Sequence, residues 1–89
     1  MDIEAIKNQT LPHIDSETLR WLADFCSRKR RKAASAESFG IDGILEYMDT
    51  HAVDYYFIQR NYNYLKTLVG AYGETYGRVE GIDRLIADL

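Results

Sequence analysis

The residues His51-Ala52-Val53-Asp54-Tyr55-Tyr56-Phe57-Ile58-Gln59-Arg60-Asn61-Tyr62-Asn63-Tyr64-Leu65-Lys66-Thr67-Leu68-Val69-Gly70-Ala71-Tyr72-Gly73-Glu74-Thr75-Tyr76 decide the fold of this chain. Within them Tyr55, Ile58, Tyr62, Leu65, Val69, Tyr72 and Tyr76 recur at alternating spacings of three and four. That is the period of a helix packed along its length on another helix. A second stripe, Val53, Phe57, Tyr64, Leu68 and Ala71, runs beside the first, and the two merge into an apolar arc of roughly 200°. Gln59, Arg60, Asn63, Lys66, Thr67 and Glu74 lie opposite. The reading is one long amphipathic helix over about residues 51–73, greasier around its girth than a single seam needs.

Gly70, Gly73, Gly77 and Gly81 close the segment. Each interior glycine costs a helix about 1 kcal/mol relative to alanine, so the helix is expected to stop between Tyr72 and Gly77. A second reading makes the glycines a smooth ridge on which two helices approach closely. Beyond them, Ile82, Leu85, Ile86 and Leu89 predict a short last helix from Val79.

Upstream, the heptad register takes in Ile41, Ile44, Met48 and His51. Asp49 or Thr50 offers a cap for a fresh helix there, and an unbroken run fits as well. Further back, Leu19, Leu22, Phe25 and Cys26 predict a helix over residues 15–34, capped by Asp15 or Ser16 and extended by Ala33, Ala34 and Ala36, with Gly40 as its stop. Pro12 restricts Leu11 and so ends a short opening helix over residues 2–9. The whole reads as one all-α domain over residues 1–89, a bundle of three to five helices around the long one. The Leu19, Leu22 and Phe25 side is expected to pack on that helix.

The 89 residues carry a net charge of −3. That mean hides two unlike halves. Residues 1–32 hold seven basic and five acidic side chains, while residues 33–89 hold four basic and nine acidic ones. Five cations are consecutive: Arg28, Lys29, Arg30, Arg31 and Lys32. On a helix such a run circles the axis, so two or three share a side. It serves either as a contact for phosphates or carboxylates, or as a solvated helix end that complements the dipole. Six of the seven tyrosines fall between residues 55 and 76, where they supply either core or an amphipathic contact surface.

The remaining groups narrow the chemistry. Cys26, His13 and His51 have no metal-site spacing, and no metal or cofactor is expected. Cys26 sits on an apolar stripe, which makes it a buried, inert thiol rather than a reactive one. Gly73-Glu74-Thr75-Tyr76-Gly77 lacks the lysine and hydroxyl of a phosphate loop, and no serine stands in a nucleophile elbow, so an enzyme is not expected. A helix-turn-helix across Asp49-Thr50 would present a recognition helix without cations at its start. Asp54 and Asn61 lie inside the apolar arc and are expected to stay wet; the alternatives are that they set register, or that Asp54 accepts from a tyrosine hydroxyl or an arginine.

No apolar run reaches the ~20 residues of a membrane span, and the chain is expected to be cytoplasmic. The function expected is non-enzymatic protein–protein interaction, that of a small regulator, inhibitor or adaptor acting by occlusion. Its candidate contacts are Tyr55, Tyr56, Tyr62, Tyr64 and Tyr76 with Arg28 to Lys32. A homodimer is expected to cover the excess of the arc. The alternative is a nucleic-acid-associated regulator using Arg28–Lys32 on phosphates.

Overall fold

Capping groups and one proline mark out the first helices. The computed structural model describes residues 2–32 and 39–89, and among them it holds five α-helices and no strand. Helix α1 spans Ile3–Thr10. It is capped by Asp2, whose Oδ1 accepts from the amides of Glu4 at 3.1 Å and Ala5 at 3.3 Å. Pro12 falls in the single 3₁₀ turn Leu11–His13 that closes it, as a residue that withholds its amide should. Helix α2 spans Ser16–Lys32. Of its two candidate caps it uses Asp15, whose Oδ1 accepts from the Thr18 amide at 2.9 Å. The expected extension over Ala33, Ala34 and Ala36 lies outside the described residues.

The long helix is shorter at its start than the spacing predicts. Helix α3 spans Ile41–His51 and helix α4 spans Tyr56–Tyr76. Neither an unbroken helix nor a start at residue 51 survives. The carbonyl of His51 accepts from both Asp54 (3.0 Å) and Tyr55 (3.1 Å), and Tyr55 is extended at φ −123°. The chain therefore doubles back. Ile41 comes against Gly73, where an added Cβ would lie 2.9 Å from Ile41 Cγ2. In one straight helix those residues would stand about 48 Å apart. Ile41, Ile44 and Met48 before the turn and Ile58, Leu65 and Val69 after it all point inward, so the three-four spacing runs through the turn without a mark.

The far end agrees with the glycine reading in part. α4 ends at Tyr76, and Gly77 adopts φ 97° with its amide on the Gly73 carbonyl at 2.8 Å. Only glycine takes that conformation without strain. The ridge reading holds at Gly73 and at Gly81, whose added Cβ would lie 2.8 Å from the Tyr72 carbonyl oxygen. Helix α5 spans Glu80–Asp88 and buries Ile82 and Leu85.

α4 is the central element. α1, α3 and α5 pack on it, and α2 crosses near its start and continues onto α5. Ile58, Leu65, Leu68, Val69 and Tyr72 of α4 are all buried within the single chain, against Leu22, Ile44, Met48, Ile82 and Leu85 among others. Most of the wide arc is thus covered without a second copy. Phe25 joins the core through neighbouring rings. Its ring meets Tyr47 of α3 at 4.4 Å and Phe39 at 6.1 Å, while Trp21 makes the contact with Phe57 of α4 at 5.5 Å.

Asn61 departs from expectation. It is 3% exposed, and its Nδ2 donates to Thr18 Oγ1 at 3.1 Å and to the Phe57 carbonyl at 2.8 Å. Thr18 Oγ1 in turn donates to Asp15. A buried amide in a helix interior is tolerable because both amide hydrogens find acceptors. Asp54 stays wet, as expected, beside His51 Nδ1 at 3.3 Å.

Candidate functional site

Large apolar side chains that stay exposed are few, and they gather. Among the described residues they are Val53, Tyr55, Tyr56, Tyr64 and the final residue Leu89. Four of them lie on the α3–α4 turn and the first half of α4. Val53 is 83% and Tyr56 64% exposed, which in a chain this small is apolar surface left in water.

The face is built by helical spacing and by the segment before α2. Tyr56, Arg60 and Tyr64 stand four residues apart on the outer side of α4. The Arg60 guanidinium lies 5.0 Å from the centre of the Tyr56 ring and pairs with the Asp15 carboxylate. His13 stacks on Tyr64, with ring centres 4.6 Å apart and planes 12° from parallel. The turn containing Pro12 and the cap of α2 thereby brace two of the outward rings. A cation held over an aromatic face adds about 0.5–1 kcal/mol at an exposed position and orders both groups.

Behind Tyr55 the rings continue inward. His51 lies 6.0 Å from Tyr55 and 4.2 Å from Tyr47. Burial, with the neighbouring Tyr55 hydroxyl adding to it, pushes the Tyr47 hydroxyl above the usual tyrosine range, against the opposing pull of Arg28. Arg28 therefore sits close enough to act on this cluster, which joins the C-terminal half of α2 to the Tyr55 end of the face.

The five nominated tyrosines divide. Tyr55, Tyr56 and Tyr64 face water. Tyr62 is half-buried and donates its hydroxyl to Asp49 of α3. Tyr76 is half-buried, 5.9 Å from Tyr72, with the Arg84 guanidinium 5.1 Å over its ring. These two sit at the edge of the seam, where α3 and α5 take them up.

The basic run divides as well. Arg28 Nε pairs with Asp24 at 2.9 Å. The Lys29 ammonium lies 5.6 Å over the Phe25 ring. Arg30 donates through Nε and Nη2 to Asp83 of α5, at 3.0 and 3.3 Å, and so fastens α2 to α5. Arg31 and Lys32 are exposed and make no ion pair among the described residues.

Sequence reading missed Val53, Arg60 and His13 as site residues. Arg60 had a signal in its four-residue spacing from Tyr56 and Tyr64; His13 had none, because its partner lies far along the chain. Cys26 is fully buried, and burial pushes its thiol up to about 12. Among the described residues no three His, Cys, Asp or Glu side chains converge as metal ligands. No described helix is long and apolar enough to cross a membrane. Two recesses mark the surface. One, of about 240 Å³, opens beside Phe25, Lys29 and Tyr47; the other, of about 420 Å³, lies between α3 and α4 over Gly70. No protein-family model, curated protein or solved structure matches the chain.

Proposed function

We infer that the protein is a non-enzymatic protein–protein interaction module whose docking face is Val53, Tyr55, Tyr56 and Tyr64 with Arg60. The observation that carries this is the concentration of exposed large side chains on residues 53–64, next to an otherwise well-filled core. Aromatic rings braced by Arg60 and His13 lose little freedom on binding, which is what an anchor residue requires. Arg60 sets a cation among these rings, so the partner suited to this face presents an apolar recess edged with carboxylates. The action is that of a small regulator, inhibitor or adaptor that occludes its partner's surface. A cytoplasmic setting suits a chain whose single cysteine is a buried free thiol.

The nucleic-acid alternative has less behind it. Arg28 and Arg30 are engaged by Asp24 and Asp83, and Lys29 by Phe25. The two cations left, Arg31 and Lys32, would give a log–log salt slope of about −2 at most.

The test is photo-crosslinking in the native cell from a benzophenone side chain placed at Tyr56, with the same group at Glu80 as control. A discrete protein adduct from position 56 alone, lost on Tyr55→Ser plus Tyr64→Ser, is expected. An adduct with a second copy assigns the face to a homodimer. Adducts with nucleic acid, or equal yields from both positions, would overturn the reading.

A further inference from the structure

Gly70 is the glycine of α4 for which its own chain gives no reason. A Cβ added there meets nothing within 4 Å, whereas one at Gly73 would strike Ile41. A mid-helix glycine weakens its helix relative to alanine. What the missing side chain leaves is the groove of about 420 Å³ between α3 and α4, floored by Ile41, Leu45, Gly70 and Gly73. Concave, mostly apolar recesses of about 300–1,000 Å³ with a few polar groups at the edge are the usual form of small-molecule sites.

Charge decides which kind of molecule fits. Three ionised groups border the groove: Asp42, Glu74 and Arg78. Arg78 Nε pairs with Asp42 at 2.8 Å. Glu74 is exposed and makes no ion pair among the described residues. An anion entering here meets Glu74 and finds the Arg78 guanidinium already held by Asp42. A cation meets an available carboxylate at the edge of an apolar floor, where a charge-assisted hydrogen bond is stronger than a neutral one. We propose that the α3–α4 groove binds a small apolar molecule carrying one cationic group, an arylalkylamine in class, with its body over Gly70 and its ammonium on Glu74. The site lies at the opposite end of α4 from the docking face and does not depend on it.

The experiment is an amide-resolved NMR titration of the full chain with phenylbutylammonium, phenylbutanol and phenylbutanoate. Saturable shifts at Gly70, Gly73 and Glu74 are expected, with the amine about tenfold tighter than the alcohol and the carboxylate weakest. Glu74→Gln brings the amine to the alcohol's affinity, and Gly70→Leu fills the floor and abolishes binding. Should Gly70→Leu fail to fold, Gly70→Ala serves instead, weakening the amine at least about threefold while the melting temperature holds or rises. Equal affinities for the three probes, shifts centred elsewhere, or binding indifferent to residue 70 would overturn the proposal. So would Gly70 resonances that move on dilution without any probe, which would give the groove to a second copy.

Discussion

The same substitution, glycine to alanine, is expected to act in opposite directions at two positions one helical turn apart. At Gly70 the new Cβ enters open space. The variant gains helix propensity of about 1 kcal/mol and loses unfolded-state freedom, so its melting temperature rises by about 4–8 °C. At Gly73 the propensity gain is the same, but the Cβ stands 2.9 Å from Ile41 Cγ2 and 3.3 Å from Ile41 Cβ. Those atoms cannot swing away, because a β-branched side chain in a helix holds one χ1 rotamer. Either α3 shifts or the contact is strained, a penalty of about 1–3 kcal/mol. Because propensity cancels between the two variants, their difference isolates packing: about 5–20 °C, with Gly73→Ala the lower. Thermal melts by circular dichroism, checked by urea midpoints at constant slope, decide it. A Gly73→Ala protein as stable as Gly70→Ala would refute the close approach of α3 to α4. A destabilised Gly70→Ala would refute the open space on which the groove rests.

Other outcomes follow from single groups. Asn61→Ala removes the hydrogen bond between α4 and Thr18 and should lower stability by about 1–3 kcal/mol in urea unfolding. Asp15 is held down at about 2, chiefly by the Thr18 hydroxyl and amide, below its ordinary 3.8. A depressed carboxyl stabilises the fold above its unfolded pKa, and that contribution fades as pH falls from about 4 to about 2. The pH dependence of melting over that range should therefore be shallower in Asp15→Asn, which keeps the cap and loses the titration. With its thiol pushed up to about 12, Cys26 should react with a disulfide reagent at neutral pH only as fast as the chain unfolds, and at once in denaturant.

Much of this fold was legible because its signals are local. Pro12 ends α1, Asp15 caps α2, Gly77 stops α4, and the stripe from Ile58 to Tyr72 is the core. The turn at residues 52–55 was not legible. Its register, Met48, His51, Tyr55 and Ile58, keeps helical spacing across the break although Tyr55 faces water, and only the tertiary pairing of Ile41 with Gly73 reveals that the chain reverses. Asn61 was misjudged for a related reason: a polar residue on an apolar stripe reads as wet unless its acceptor, Thr18, is known to lie opposite. The face shows the same boundary. Tyr56 lies on the polar side of the wheel, and the spacing could have separated it from Tyr62 and Tyr76 on the seam; Tyr64 shares a stripe with the buried Leu68 and could not have been separated this way. That His13 would brace Tyr64, and Asp15 hold Arg60, depends on how α2 crosses α4, which no spacing encodes.

The division between outward and seated tyrosines offers the most direct measurement. With the crosslinked partner in hand, its dissociation constant should be compared for Tyr56→Ala and Tyr76→Ala alongside their melting temperatures. An exposed anchor of this kind predicts at least about a thirtyfold loss of affinity for Tyr56→Ala, with the fold weakened by no more than about 0.5–1 kcal/mol, the worth of the Arg60 contact. Tyr76→Ala should melt earlier and bind as before. Undiminished binding by Tyr56→Ala, with affinity lost instead at Tyr76, would contradict the account.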